Sequence, residues 1–244
     1  MSVLLEANNV SKAYGGIQAL DTCSITVEEG SITGLIGPNG SGKTTLFNVI
    51  TGYERIDAGS VSFGGASITN WSPNRVFQLG IGRTFQLTRI FPRMTVIENM
   101  HVAVQRQGLL SLLRRWSSSH EQQRAEELLD FVGLRELQGM LAGQLSYGQK
   151  KLLEFALILI AEPRVLLLDE PAGGVNPTML NYLGERIRTL NERGVTFLVV
   201  EHNLEFVMGL CNKIMVMHRG SKIAEGTPEE VRAHPEVLEA YLGD

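Results

Sequence analysis

Residues 32–52 read ITGLIGPNGSGKTTLFNVITG, and this stretch decides the fold. A short apolar segment of strand-like length runs into a glycine-rich turn, and the turn runs into an apolar pattern of helical period that Gly52 closes. A strand, a glycine loop and a helix in this order form a phosphate-binding arrangement, because the backbone N–H groups of the loop and the positive end of the helix dipole both point at the space in front of the helix N-terminus.

Residues 37–44 fit the pattern G-x-x-x-x-G-K-[ST], in which each part has a physical role. The glycines let the backbone close around the β- and γ-phosphates, Lys43 adds a mobile cation, and the Thr44 hydroxyl is a ligand for Mg²⁺. Thr45 lies one residue further round, where it meets the α-phosphate. A chance match by a glycine-rich turn is the alternative, and the flanking strand and helix argue against it. The predicted cofactors are ATP and Mg²⁺, bound in this loop by Gly37, Pro38, Asn39, Gly40, Ser41, Gly42, Lys43, Thr44 and Thr45.

Two carboxylates end a second apolar run, VLLLDE at 165–170. A run that is apolar throughout is typical of a parallel strand covered on both faces, and ligands bind beside the carboxyl ends of such strands. We expect Asp169 to hold Mg²⁺ and Glu170 to orient or deprotonate an attacking water, which requires an acceptor rather than a covalent nucleophile. A solvated acidic turn before Pro171 is the alternative, and a phosphate loop in the same chain disfavours it.

The order of apolar patterns predicts an α/β fold. TFLVVEH at 196–202 is a further apolar run, and the helix-like segment 177–191 joins it to the run at 165–170 as a strand-helix-strand crossover. Strand-like segments at 4–10 and 20–27 open the chain.

Two other regions complete the pattern. Residues 94–160 show helical periodicity with no convincing strand, which indicates an inserted helical subdomain. The tail at 213–244 predicts two short strands that turn at Arg219-Gly220, followed by two helices.

The motif Leu145-Ser146-Tyr147-Gly148-Gln149 resembles the LSGGQ signature of ABC ATPases, and it precedes the acidic strand as in that family. Ser146 is placed to cap a helix whose N-terminal donors would engage a γ-phosphate. Tyr147 departs from the usual glycine. The resemblance adds Ser146, Gly148 and Gln149 to the nucleotide-binding residues.

The resemblance also implies an architecture. It is a P-loop NTPase fold, that is, an ABC cassette with a RecA-like core, an N-terminal antiparallel β subdomain and an inserted α-helical subdomain. Residues 1–244 would form a single ABC ATPase domain, with residues 1–90 and 161–244 as the nucleotide-binding core and residues 91–160 as the insert. In this family the signature completes the nucleotide site of a second cassette, so two cassettes sandwich two ATP molecules head to tail.

Four further residues acquire roles by resemblance alone. Gln86 matches the Q-loop glutamine, which senses Mg²⁺, water and the membrane partner, and His202 matches the switch histidine, which contacts the γ-phosphate and Glu170. Tyr14 lies where these cassettes stack an aromatic ring on adenine, although a core tyrosine is the alternative. Asn176 stands where many cassettes have Asp, and we assign it no catalytic role. The expected catalytic residues are therefore Glu170, His202, Gln86 and Lys43, and the expected metal-binding residues are Thr44, Gln86 and Asp169.

The stretch RTFQLTRIFPRMTVIENM and the tail after Gly220 resemble the cassettes of branched-chain amino acid importers. This resemblance implies transmembrane permease subunits, a second cassette in a homo- or heterodimer and, indirectly, a periplasmic or extracellular substrate-binding protein as partners. The group has extra length between Gln86 and the signature, here at 101–124, which either touches a membrane or partner or is a solvated loop. Cassettes for urea, short amides or other small polar substrates are closely similar, and a lipid exporter is a weaker alternative.

Composition limits the other classes of function. The formal net charge is −4, which disfavours nucleic acid as a partner and with it a soluble ABC protein of DNA repair or translation. A regulator without turnover is disfavoured because Glu170 and His202 are both present. Two distant cysteines, no basic leader and an apolar stretch at 152–161 too short to span a bilayer predict a cytoplasmic protein whose membrane association is peripheral. The resemblance implies that the permease holds it at the inner face of the cell membrane.

Overall fold

The computed structural model describes residues 2–84, 90–104 and 119–242. Within these ranges the strands are β1 (Val3–Tyr14), β2 (Ile17–Glu28), β3 (Ile32–Ile36), β4 (Ala58–Phe63), β5 (Ala66–Ser67), β6 (Ile81–Arg83), β7 (Val165–Asp169), β8 (Thr196–Val200), β9 (Lys213–His218) and β10 (Ser221–Gly226). The helices are α1 (Lys43–Ile50), α2 (Pro73–Gln78), α3 (Val96–Val104), α4 (Ser119–Phe131), α5 (Tyr147–Leu159), α6 (Pro177–Glu192), α7 (Leu204–Leu210), α8 (Pro228–Ala233) and α9 (Pro235–Leu242).

The larger sheet has six strands in the order β10-β9-β3-β8-β7-β6. All neighbours pair in parallel except β10, which pairs antiparallel with β9 at one edge. Strand β8 lies between β3 and β7, and its Val200 pairs with Leu35 on one side and with Asp169 on the other. The carboxyl ends of these three strands therefore meet at one edge of the sheet. The predicted α/β fold with a strand-helix-strand crossover through α6 is confirmed.

The smaller sheet is antiparallel, in the order β2-β1-β4-β5, and it contains the two strands that open the chain. Residues 58–83 differ from the sequence prediction, which placed no element there. They form β4, β5, α2 and β6. β5 and β6 have two and three residues, and α2 has six, so each is too short for a hydrophobic period to be visible.

The six-stranded sheet separates two hydrophobic cores. In β7, Leu166 and Leu168 face one core while Val165 and Leu167 face the other, and β8 and β9 alternate in the same way. The first core contains the buried faces of α3–α7, and the second contains α1 and the antiparallel sheet. Because both faces are covered, β3, β7 and β8 are buried at every position, which explains their continuous apolar sequences.

Helices α3, α4 and α5 pack on one another in the region predicted as helical, and short 3-10 turns at Arg135–Leu137 and Ala142–Gln144 lie between α4 and α5. Thr95 and Leu141 form an isolated bridge there. The extra length predicted at 101–124 falls largely on residues 105–118, outside the described residues. Across the described ranges, none of the helices combines the length and apolarity needed to cross a membrane.

Candidate active site

The turn between β3 and α1 closes around the Lys43 side chain. Lys43 Nζ donates to the carbonyl oxygens of Gly37 at 2.7 Å and Pro38 at 2.9 Å, and to Ser41 Oγ at 3.3 Å. Lys43 is buried, and burial lowers the pKa of its ammonium, although the carboxylates at the end of β7 act in the opposite direction. A cation held at the N-terminus of α1 reinforces the positive end of the helix dipole, which favours a phosphate ligand.

Two glycines of this turn are required by close packing. A Cβ at Gly37 would lie 2.1 Å from the carbonyl oxygen of Met217, and a Cβ at Gly42 would lie 2.4 Å from that of Ala19. Gly42 also has φ +100°, a conformation that residues with a side chain rarely adopt. The turn is thus fixed against β9 on one side and β2 on the other.

Thr44, Thr45 and Tyr14 lie around the start of α1. Thr44 is exposed and Thr45 is half-buried. Tyr14 is 42% exposed, which excludes the core tyrosine considered above. Burial of its hydroxyl and then Glu54 raise the pKa of Tyr14, while the Lys12 ammonium and a hydrogen bond with Thr45 oppose the rise. The exposed ring is therefore joined to the helix that carries the phosphate loop.

Asp169 is held by a buried arginine that the sequence pattern does not single out. Arg83 Nη2 lies 2.8 Å from Asp169 Oδ2, and both side chains are more than 90% buried. The other terminal nitrogen of Arg83 donates to Asn48 Oδ1 at 2.7 Å and to Thr51 Oγ1 at 3.1 Å, which ties β6 and β7 to α1. Arg83 ends a three-residue strand, and its partner lies 86 residues away, so sequence spacing alone gives no sign of the pair.

Glu170 and His202 meet beside the phosphate loop. His202 Nε2 lies 3.0 Å from Glu170 Oε1, as the resemblance implied for the switch histidine. The backbone of Glu170 has φ +50°, which is rare for a residue with a side chain, and its N–H donates to the Val200 carbonyl at 2.9 Å. This bond extends the pairing of β7 and β8 by one residue, and the positive φ ends the extended strand conformation at Glu170. Outliers of this kind cluster at functional sites.

The signature residues form the start of α5. Ser146 is the N-cap, and its Oγ accepts from the Gln149 N–H at 3.3 Å while Gln149 Oε1 accepts from the Ser146 N–H at 2.9 Å. This reciprocal capping box occupies the Gln149 side chain. Ser146 is exposed, and Gly148 packs against Met179 of α6. The N-terminus of α5 is thus capped, and Ser146 is exposed there.

Tyr147, the departure from the family signature, contacts the segment that follows Glu170. A Cβ added to Gly174 would lie 2.9 Å from the Tyr147 ring, and Gly174 has φ +70°. Lys151 lies 5.6 Å from the centre of the same ring and donates to the Glu170 carbonyl at 3.2 Å. The tyrosine therefore fills the space above a glycine and joins the signature helix to the acidic loop of its own chain.

The remaining predicted residues are placed as follows. Gln86 lies outside the described residues, so the structure gives no position for it. Asn176 is the N-cap of α6, where its Oδ1 accepts from the Met179 N–H at 2.9 Å. Asn and Asp are equally effective as N-caps, so Asn176 serves this local role as well as the Asp that many cassettes carry.

The oxygen ligands near the loop suit Mg²⁺. Thr44 supplies a hydroxyl and Asp169 a carboxylate, and both lie at the carboxyl edge of the parallel sheet. No cluster of three or more His, Cys, Asp or Glu that could hold a metal occurs among residues 2–84, 90–104 and 119–242. Proteins usually bind Mg²⁺ through one or two side chains together with phosphate oxygens and water.

Together, a phosphate loop, an acidic strand end, a histidine and a capped helix with an LSxGQ sequence define an ATP-binding cassette. The sequence model described as ABC transporter matches residues 20–173, and one described as branched-chain amino acid ATP-binding cassette transporter matches residues 221–244. The chain belongs to the ABC transporter family. It is the ATP-binding, ATP-hydrolysing subunit of such a transporter.

Relatives resemble the chain along nearly its full length. It is 43% identical to a probable branched-chain amino acid transport ATP-binding protein LivG of Archaeoglobus fulgidus, over 98% of this chain and 95% of that protein. It is 39% identical to the high-affinity LivG protein of Salmonella typhimurium, over 99% and 98% of the two chains. A crystal structure of a nucleotide-free cassette from an ABC transporter has a TM-score of 0.89 at 37% identity, with full coverage of both chains. A dimeric bacterial cassette has a TM-score of 0.81 at 25% identity, over 92% of this chain and 99% of that one.

Replacing Arg83 with Met should destabilise the protein by about 3–5 kcal/mol, because it leaves the buried Asp169 carboxylate without its cation. Urea unfolding measures the loss. The matched control is Arg135→Met, which breaks an ion pair with Glu126 whose side chains are 46% and 28% exposed and should change stability by less than about 1 kcal/mol. Equal effects of the two substitutions would contradict the structural role given to Arg83.

Proposed function

We propose that the chain is the ATP-hydrolysing subunit of an importer that takes up branched-chain amino acids through a separate membrane permease. The observation that carries the enzymatic part is the 3.0 Å contact between Glu170 and His202 at the edge where the phosphate loop begins. The substrate is proposed from the relatives' names and from the match at residues 221–244, since the transported molecule crosses through the permease rather than through this chain.

The described residues divide the work of hydrolysis. The loop of residues 37–45 binds the phosphates through backbone N–H groups and Lys43, and Tyr14 stacks on the adenine. Thr44 and Asp169 hold Mg²⁺, which neutralises charge on the phosphates. Glu170 accepts a hydrogen bond from the attacking water, and His202 keeps Glu170 directed at it. Gln86 joins this set by resemblance.

The site is completed by a second cassette. Ser146 is exposed at the N-terminus of α5, and its contacts and those of Gly148 are with α5 and α6 of its own chain. An exposed helix N-terminus with a capping serine suits the γ-phosphate of ATP bound to the partner. ATP binding then closes the dimer, hydrolysis reopens it, and the motion passes to a permease that holds the cassette at the inner face of the membrane.

Replacing Glu170 with Gln should abolish steady-state ATP hydrolysis and preserve ATP binding, because the amide keeps the size of the side chain but is a far weaker base. Phosphate release and equilibrium nucleotide binding measure the two properties separately. Glu192→Gln, at the exposed end of α6, serves as the control and should leave both unchanged. Unaltered turnover in the Glu170 variant would remove the role assigned to it.

Mixing two inactive variants tests the shared site. Ser146→Arg blocks the face offered to the partner, and Glu170→Gln blocks the chain's own site, so each variant alone should lack hydrolysis. In a mixed dimer, one of the two nucleotide sites takes its Glu170 from the Ser146→Arg chain and its Ser146 from the Glu170→Gln chain, so both residues are intact there. We therefore expect activity to return on mixing. A mixture that stays inactive, or a Ser146→Arg variant with normal turnover, would contradict the head-to-tail arrangement.

Reconstitution tests the transport step. The chain should copurify from membranes with a permease, and vesicles that contain this complex and its binding protein should take up labelled leucine only when ATP is supplied. Unlabelled isoleucine and valine should compete with leucine, whereas urea and acetamide should not. Competition by urea or acetamide instead would assign the complex to short amides, and failure to copurify with any permease would contradict a permease partner.

A further inference from the structure

Glu201 is a buried carboxylate that the proposed mechanism does not use. It follows β8 directly, lies between Val200 and His202, and is 3% exposed. Burial raises the pKa of Glu201, backbone hydrogen bonds lower it, and the charge on Glu170 raises it again. A carboxylate in such a position is costly, and an apolar residue or an amide would avoid the cost. We therefore expect Glu201 to have a role that requires both of its acceptor oxygens.

The two carboxylate oxygens of Glu201 bond to two different loops. Oε1 accepts from the N–H of Ala172, two residues after Glu170. Oε2 accepts from the N–H of His202 at 2.9 Å and from that of Asn203 at 3.2 Å. One side chain thus fastens the loop that carries Glu170 to the loop that carries His202.

These bonds lie beside the contact between Glu170 and His202. On the strand side of that contact, the Glu170 N–H donates to the Val200 carbonyl at 2.9 Å. On the outer side, the link through Glu201 and Ala172 is the second connection between the same two loops. Glu170 has a strained backbone at φ +50°. The bond of its own N–H to Val200 and the bond of the Ala172 N–H to Glu201 hold the chain on both sides of it, which restricts where its side chain can point.

We propose that Glu201 is a positioning residue for ATP hydrolysis, which clamps the loops of Glu170 and His202 so that their side chains stay in contact. The inference rests on the proposed function, since it assigns a role in that same site. Glutamine at position 201 keeps the size but replaces one acceptor oxygen with a donor, which faces an N–H group on one loop or the other. Aspartate keeps both oxygens but is one methylene shorter, so it cannot span both loops.

The test compares Glu201→Gln and Glu201→Asp with the wild-type chain and with Glu230→Gln. Glu230 also accepts a backbone N–H, in the capping box of α8, and takes no part in the site. We expect kcat to fall about tenfold or more in both Glu201 variants, because a displacement of about 1 Å at a catalytic group can cost on the order of 10²-fold. Nucleotide affinity and the KM for ATP should stay close to the wild-type values, and the control should leave all three unchanged.

A double-mutant cycle separates positioning from general stabilisation. If Glu201 acts through His202, adding Glu201→Gln to His202→Ala should lower the residual kcat little further. A full additional loss in that background, a kcat that stays at the wild-type value, or an effect confined to nucleotide affinity would each overturn the proposal. If Glu201→Gln does not fold, Glu201→Asp carries the same comparison with the charge retained.

A crystal structure of Glu201→Gln judges the clamp independently of turnover. We expect the separation of Glu170 Oε1 and His202 Nε2 to increase beyond hydrogen-bonding distance, and retention of the 3.0 Å contact would overturn the proposal. A wild-type chain that does not hydrolyse ATP would defeat the proposed function instead, while this structure would still decide whether Glu201 holds the two loops together.

Discussion

The parallel pairing of β8 with β3 on one side and β7 on the other is the constraint on which the rest of the site depends. Val200 pairs with Leu35 and with Asp169, so the three strands end at the same level. The phosphate loop, the acidic pair and the histidine loop follow these ends directly. Their relative positions are therefore fixed by backbone hydrogen bonds in a sheet buried on both faces, and the side chains need only short loops to meet.

The carboxyl edge of the sheet contains buried charged side chains and a strained backbone residue, both of which lower the stability of the fold. Lys43, Arg83, Asp169 and Glu201 are all at least 90% buried, and Glu170 adopts a left-handed backbone conformation. The charges are compensated locally, Lys43 by loop carbonyls, Asp169 by Arg83, and Glu201 by three N–H groups. Two of these contacts also join separate elements of the site, because the Arg83–Asp169 pair links β6 to β7 and the Glu201–Ala172 bond links the loops after β8 and β7.

Sequence patterns predicted the parts of the fold that are marked by a long apolar run, a glycine-rich motif or a helix-capping motif. The apolar runs of β7 and β8, the glycine loop before α1 and the capped start of α5 were all visible, because periodicity, composition and capping are local properties. The elements at 58–83 were not, since none of them is longer than six residues and two have only two or three, too few to show a clear period. Arg83 and Glu201 were missed for a different reason: Asp169, the partner of Arg83, and Ala172, one partner of Glu201, are distant in sequence, and only the sheet brings them together. The contact of Tyr147 with Gly174 likewise depends on how α5 packs beside the acidic loop.

In the proposed mechanism, ATP is hydrolysed where the ends of β3, β7 and β8 converge, with Lys43, Glu170 and His202 around the γ-phosphate. The most direct measurement is a structure of the Glu170→Gln variant with ATP and Mg²⁺. We expect Lys43 Nζ to leave the carbonyls of Gly37 and Pro38 for the phosphates, and His202 Nε2 to lie within hydrogen-bonding distance of the γ-phosphate. A nucleotide bound elsewhere, or a γ-phosphate out of reach of both Lys43 and His202, would contradict it.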